Sequence, residues 1–96
     1  MSSMLGSLTM NFGRSYAYRE SKAALNQFAR TLAVEVEPKG IAVTVLHPGH
    51  VRTDMGGPDG KLSVDESVSG LIKVIYSIDK DKHSKFLQWE GKELPW

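Results

Sequence analysis

The segment IAVTVLHPG, residues 41–49, decides the fold of this chain. Its first six residues are rich in β-branched side chains and almost continuously apolar, which is typical of a strand covered on both faces in a parallel sheet. Pro48 and Gly49 then end the strand with a turn. Because such a strand needs layers above and below it, we predict an α/β fold.

A helix is predicted before this strand, over residues 16–37, from Tyr16 to Glu37, because the segment contains neither glycine nor proline. Four apolar side chains recur there at spacings of three and four: Leu25, Phe28, Leu32 and Val36. This pattern predicts one apolar face that packs in the core.

The segments on either side extend the same alternation of strands and helices. Residues 1–14 are interpreted as the tail of a strand followed by a loop, and residues 86–89 as a short final strand. Between them, Ser63 and Glu66 form a capping-box signature that predicts the start of a second helix. The expected architecture is a doubly wound parallel sheet of roughly three strands with two main helices.

Length and composition restrict the function classes. The chain has 96 residues, and we expect residues 1–96 to form a single partial domain. The net charge is +1 with the basic residues dispersed, so no nucleic-acid partner is expected. No apolar run approaches the roughly 18–20 residues of a membrane helix. We expect no membrane partner and no signal peptide, and take the cytoplasm as the default location.

Tyr18 and Lys22 are the first candidates for chemistry. They lie four residues apart, so their side chains share one face of the predicted helix. Tyr76 and Lys80 repeat the interval, but Tyr76 lies in the last turn of its helix, where the dipole disfavours an anion. A phenol with an ordinary pKa of about 10 needs a neighbouring cation to exchange protons near neutral pH. The first pair is therefore the better acid–base candidate.

Three motifs carry a family resemblance: SSMLG at residues 2–6, YRESKAAL at residues 18–25 and HPGHVRT at residues 47–53. Their order and spacing resemble those of the short-chain dehydrogenase/reductase family. Residues 53–57 and 86–96 are similar to its branch of small carbonyl reductases related to C-factor and sniffer proteins. The likeness covers essentially the whole chain and implies a partial Rossmann-like fold that lacks the amino-terminal cofactor half.

The resemblance implies a role for each motif residue. Tyr18 would be the general acid and base of carbonyl–alcohol interconversion, and Lys22 would bind the nicotinamide ribose and stabilise the tyrosine anion. Ser3, the second serine of its motif, would orient the carbonyl of a small carbonyl or alcohol substrate. The interval from Ser3 to Tyr18 is longer than usual in the family, which indicates a small loop insertion. Judged alone, Ser2 and Ser3 are also consistent with a solvated loop.

The resemblance also implies NADP or NAD as cofactor, with NADP favoured. The expected cofactor contacts are Tyr18, Lys22, Pro48, Gly49, Val51 and Thr53. However, no G-x-G-x-x-G follows any strand, so the chain has no evident place for the pyrophosphate. We therefore expect full cofactor binding only when the missing half is supplied, and little or no activity from the isolated chain.

Four further interpretations follow from the sequence. A noncatalytic interaction module is the alternative function, in which helix 16–37 docks on a full-length relative as a homo- or hetero-oligomer. No metal site is expected at His47 and His50, because Pro48 and Gly49 prevent the helix that would align them. His83 is interpreted as part of a solvated loop. Trp96 is left open between packing and closing over a subunit or the substrate pocket.

Overall fold

The computed structural model describes residues 1–96 and confirms the α/β class. Helix α1 spans Tyr16–Val36, strand β1 Thr44–His47, helix α2 Val64–Tyr76 and strand β2 Lys85–Gln88. Short 3₁₀ helices cover Met4–Gly6, Glu37–Lys39 and Lys80–Lys82. β1 and β2 pair in parallel from Thr44 opposite Lys85 to His47 opposite Gln88, as the β1–α2–β2 connection requires.

Apolar side chains cover both faces of this small sheet, as the run in β1 predicts. On one face, Leu46 and Leu87 pack with Leu71 and Val74 of α2. On the other face, Val45 forms a second cluster with two further buried side chains, Phe86 and Leu94. Ala29 of α1 packs against that second cluster. The sheet therefore has one helix on each side, which is the doubly wound arrangement.

The sheet has two strands rather than the expected three. Residues 1–3 follow the edge of β1, where the Ser2 N–H donates to the Leu46 carbonyl over 2.7 Å. The chain then turns at once into the 3₁₀ helix Met4–Gly6, so no ladder forms. The predicted strand at residues 41–46 is also shifted to Thr44–His47. The reason is that the Val43 N–H donates to His83 Nδ1 and its carbonyl accepts from Ser84 N–H.

The predicted apolar face of α1 is wrong in part. Phe28 is 64% exposed and Leu25 is also exposed, whereas the buried residues of α1 are Arg19, Asn26 and Ala33. The cause is a close approach of the 3₁₀ helix: a Cβ at Gly6 would lie 2.8 Å from the Lys22 carbonyl carbon. The covered face of α1 is therefore made of small and polar side chains.

Helix α2 begins with the predicted capping box. Ser63 Oγ accepts from the Glu66 N–H over 3.1 Å, and the Glu66 carboxylate accepts from the Ser63 N–H over 2.8 Å. The hydrogen bond from the Ser63 backbone lowers the pKa of the Glu66 carboxyl below its ordinary value. Both ends of the box thus satisfy N–H groups that a helix start leaves free.

One expectation about the carboxy-terminal part is corrected, and one that was left open is decided. His83 is not in a solvated loop: Nδ1 accepts from Val43 N–H, and Nε2 lies 3.1 Å from the Ala33 carbonyl oxygen of α1. Of the roles left open for Trp96, the structure shows packing, because its ring stacks on Phe86 with ring centroids 5.4 Å apart. No helix is long and apolar enough to cross a membrane.

Candidate active site

Tyr18 and Lys22 lie together on α1, as their spacing predicts. Tyr18 is in the first turn and lines the main cavity of the chain, which lies between α1, the loop after β1 and α2. Lys22 Nζ lies 5.6 Å from the centroid of the Tyr18 ring. The one ion pair of the chain joins Lys85 and Glu93, so no carboxylate neutralises the Lys22 ammonium. Tyr76, by contrast, is 88% exposed and does not line this cavity. The surroundings therefore separate two pairs that the interval alone could not.

The two serines at the carboxyl end of the sheet have different hydrogen bonds. Ser2 Oγ donates to Asn26 Oδ1 over 2.7 Å, which commits its proton to α1. Ser3 is 8% exposed, and its Oγ accepts from the Leu5 N–H over 3.2 Å. Because that bond uses a lone pair, the Ser3 hydroxyl keeps its proton free to donate to another group.

The loop after β1 is held against α2 by its first carbonyl. The Pro48 carbonyl accepts from Ser67 Oγ over 2.6 Å, and Ser67 is fully buried. Gly49 has φ 87°, and a Cβ there would lie 2.4 Å from Leu62 Cδ1. Only glycine combines this backbone conformation with so close a neighbour. The hydrogen bond to Ser67 and the close packing on Leu62 therefore fix the bend of the loop.

Val51 and Thr53 follow this bend on the same wall of the cavity. Val51 and Leu62 form an isolated parallel β-bridge. Its two hydrogen bonds join the Leu62 N–H to the His50 carbonyl and the Arg52 N–H to the Leu62 carbonyl, so the Val51 N–H has no backbone acceptor. Thr53 Oγ1 accepts from the Gly56 N–H over 3.1 Å and keeps its own proton available. Both residues can hydrogen-bond to an amide group placed in the cavity.

The cavity that these elements enclose has a volume of about 740 Å³. Its lining includes all but one of the site residues predicted from the sequence, namely Ser3, Tyr18, Pro48, Gly49, Val51 and Thr53. Lys22 is the exception and stands beside the Tyr18 ring. No lysine, arginine, aspartate or glutamate lines this cavity, so its walls suit an uncharged group.

His47 is a cavity residue whose place here the sequence did not suggest. It is 8% exposed, and its buried Nδ1 has no hydrogen-bond partner. Burial lowers the pKa of the His47 imidazole, so the ring is neutral near neutral pH. The available signal was its position at the end of β1, two residues after the buried Val45 and so on the same face of the sheet.

His50, the other histidine near the cavity, has its Nε2 2.8 Å from the Gly56 carbonyl oxygen. The chain contains no group of three or more histidine, aspartate or glutamate side chains that could hold a metal ion.

The residues present fit one end of a nicotinamide nucleotide and not the other. The unpaired ammonium of Lys22 and the unused N–H of Val51 are suitable donors for a ribose and a carboxamide. The start of α2 is a poor phosphate site, because its first turn carries Asp65 and Glu66 and is already capped. The start of α2 therefore offers no site for the phosphates of such a nucleotide.

Known proteins resemble this chain in sequence and in structure. A family model described as short chain dehydrogenase matches residues 1–61. C-signal of Myxococcus xanthus is 43% identical over 97 residues, which cover 100% of this chain and 58% of C-signal. The carbonyl reductase Sniffer of D. melanogaster has a TM-score of 0.97 at 40% identity, covering 100% of this chain and 39% of Sniffer.

A second solved structure adds a bound nucleotide. The NADPH-bound carbonyl reductase from chicken fatty liver has a TM-score of 0.90 at 40% identity. The match covers 99% of this chain and 40% of that reductase. This chain thus spans less than two thirds of each of these proteins.

Proposed function

The chain belongs to the short-chain dehydrogenase family, and from this premise we propose that residues 1–96 are the carboxy-terminal catalytic half of an NAD(P)-dependent oxidoreductase that interconverts carbonyls and alcohols. One observation carries the proposal: Ser3 and Tyr18 line the same cavity, and the unneutralised ammonium of Lys22 lies beside the Tyr18 ring. Besides the hydride donor, carbonyl reduction needs an acid that gives the proton, a cation that stabilises the anion left behind and a hydroxyl that orients the carbonyl oxygen.

Each residue has a distinct role in the proposed reduction. The Ser3 hydroxyl donates a hydrogen bond to the substrate carbonyl oxygen and orients it. Tyr18 Oη donates its proton to the same oxygen as the carbonyl carbon becomes an alcohol carbon. Lys22 stabilises the phenolate that remains and binds the nicotinamide ribose. In the oxidation direction, the same phenolate accepts the alcohol proton.

The cofactor is NADP or NAD, and its nicotinamide supplies the hydride when it is bound. The resemblance to a reductase that holds NADPH favours NADP. We assign its nicotinamide end to Tyr18 and Lys22 and to the wall formed by Pro48, Gly49, Val51 and Thr53. Because the phosphates lack a site, the isolated chain is expected to have little or no activity. The cytoplasm is the proposed compartment.

The experiment is a chimera that joins this chain to the amino-terminal part of Sniffer, which would supply the cofactor half. Tyr18→Phe should lower carbonyl-dependent NADPH oxidation by about 10²- to 10⁴-fold, the usual contribution of a general acid. Tyr76→Phe is the matched control, because Tyr76 has the same interval to a lysine but is exposed. Equal rates for the two variants would refute the assignment of Tyr18. Lys22→Met and Lys80→Met give the same comparison for the cation.

The exposed apolar face of α1 supports a second candidate, a noncatalytic module that docks through this helix on itself or on a full-length relative. Leu25 and Phe28 lie three residues apart, and both are exposed. Phe28→Glu should then abolish association in sedimentation experiments, whereas Val34→Glu, at another exposed apolar position of α1, should not. Nicotinamide binding by the associated protein would distinguish an enzyme from a module.

A further inference from the structure

Arg19, the residue that follows Tyr18, is buried without an acidic partner. It is 7% exposed, and the single ion pair of the chain lies elsewhere. A buried guanidinium is costly unless its N–H groups are hydrogen-bonded. Here Nε donates to the carbonyls of Arg14 over 2.9 Å and Gly13 over 3.2 Å, and Nη1 donates to the Leu5 carbonyl over 3.3 Å.

These hydrogen bonds hold the loop that connects Ser3 to Tyr18. The loop approaches α1 through Arg14 and Ser15, which have φ values of 66° and 55°. Two successive non-glycine residues in this left-handed region are strained, so the surrounding contacts must hold them. The Arg19 guanidinium supplies those contacts from the first turn of α1.

The same guanidinium also fixes an aromatic side chain of the cavity wall. Its Cζ lies 4.4 Å from the centroid of the Phe12 ring, within the range of a cation–π contact. Phe12 is 70% exposed and lines the cavity together with Leu5 and Ser15. The Arg19 guanidinium therefore contacts two residues that line the cavity, Phe12 and Leu5.

We propose that Arg19 is a positioning residue that holds the Phe12 ring as a flat wall beside Tyr18, and that this wall selects carbonyl substrates with a flat, apolar body. The inference rests on the proposed function and adds a substrate class to it. An aromatic ketone can stack on the free surface of Phe12 while its carbonyl reaches Ser3 and Tyr18. A puckered aliphatic ring of the same size contacts the wall at fewer atoms.

The test compares two uncharged ketones, acetophenone and cyclohexyl methyl ketone, which differ in the flatness of one ring. Their dissociation constants for the 96-residue chain are measured by ligand-detected NMR without cofactor. The chain should bind acetophenone more tightly, and Phe12→Ala should reduce this preference by about two- to tenfold, the range of a single aromatic pair. Arg19→Lys should do the same, because an ammonium cannot reproduce the planar fork that reaches three carbonyls.

Two controls separate positioning from general stability. Arg30→Lys changes another arginine that lies over an aromatic ring, with its Cζ 5.0 Å from the Trp96 ring centroid and outside the cavity, and it should leave the preference intact. Phe12→Leu keeps an apolar side chain without a flat face, so it should lose the preference even if Arg19→Lys does not fold. An equal affinity for both ketones, or a preference unchanged by Phe12→Leu, overturns the proposal.

The outcome is independent of catalysis. Tyr18→Phe should keep the preference for acetophenone, since the phenolic oxygen is not part of the wall. Loss of the preference in Phe12→Leu together with an inactive chimera would support the wall and contradict the proposed function. An active chimera, together with equal affinities of the chain for the two ketones, would support the proposed function and contradict the wall.

Discussion

Ser2 and Ser3 are neighbours in the chain, but their hydroxyl groups have different tasks. Ser2 is bonded to Asn26 of α1, whereas the Ser3 proton is free at the cavity. Ser2→Ala leaves the buried amide of Asn26 without this partner, so it should lower the free energy of unfolding by about 1–3 kcal/mol. Ser3→Ala removes the acceptor of the Leu5 N–H at the start of a single 3₁₀ turn, so it should cost less, about 0.5–1 kcal/mol.

For activity we expect the opposite order, with the larger loss in Ser3→Ala. In the chimera, Ser3→Ala should lower the rate of carbonyl reduction by about 10²- to 10³-fold, as for the removal of one donor to a reacting oxygen. Urea unfolding and NADPH oxidation measure the two effects. A larger loss of rate for Ser2→Ala, at unchanged stability, would assign the catalytic hydroxyl to the other serine.

His47 should make the stability of the chain depend on pH. Burial lowers the pKa of its imidazole in the folded chain, so the unfolded chain binds a proton at a pH where the folded chain does not. The free energy of unfolding is independent of the titration of this histidine above its ordinary pKa of 6.5, and it decreases as the pH falls from there toward the lowered value. The slope is at most about 1.4 kcal/mol per pH unit.

The measurement is urea unfolding of the wild-type chain and His47→Asn from about pH 7 to about pH 5, the range in which histidines change charge. The free energy of unfolding should fall more steeply for the wild type, because asparagine does not titrate. The pKa of Glu66 is lowered in both proteins, so its contribution cancels. Parallel curves for the two proteins would show that His47 titrates alike in both states.

At the scale of elements, the close approach of the Met4–Gly6 helix to α1 sets the position of the serines relative to Tyr18. A Cβ at Gly6 would lie 2.8 Å from the Lys22 carbonyl carbon and 2.9 Å from its Cβ. Gly6→Ala therefore forces the two elements apart and should lower the free energy of unfolding by about 1–3 kcal/mol, the usual effect of overpacking. Thermal and urea unfolding provide the test, and an unchanged stability would show that the elements separate freely.

The elements were predictable from the sequence where their signals are local. The start of α2 was predictable because Ser63 and Glu66 are local signals, and α1 begins at Tyr16 as expected. The buried face of α1 was not predictable from its apolar stripe. Gly6 lies 16 residues before Lys22, and a helical period contains no information about such a distant contact.

The candidate site was predictable where a motif carries it. Ser3 and Tyr18 come from ordered motifs, and the cavity brings both of them together. Arg19 and His47 were missed because their surroundings depend on which carbonyls and walls the fold brings near them. A sequence shows that a residue is charged or titratable, but its partners in space appear only with the folded chain.

At the scale of the whole molecule, the chain has a small core and two apolar surfaces that its own residues leave open. Only 17 of its 96 residues are buried. Leu25 and Phe28 are exposed on α1, and Ile72 and Ile75 are exposed on α2. The chain spans 39% of Sniffer, and a further segment that packed on these two surfaces would bury their apolar side chains. We therefore expect its stability to increase when a complementary half binds.

The division of tasks between this chain and a cofactor-binding half is tested most directly by one rate. Carbonyl-dependent NADPH oxidation is measured for the purified 96-residue chain, first alone and then with the separately purified amino-terminal part of Sniffer. We expect no oxidation above background by the chain alone, and a rate that appears on mixing and disappears again with Tyr18→Phe. Oxidation by the chain alone that Tyr18→Phe abolishes would contradict this division, because it would mean that the chain binds the whole cofactor.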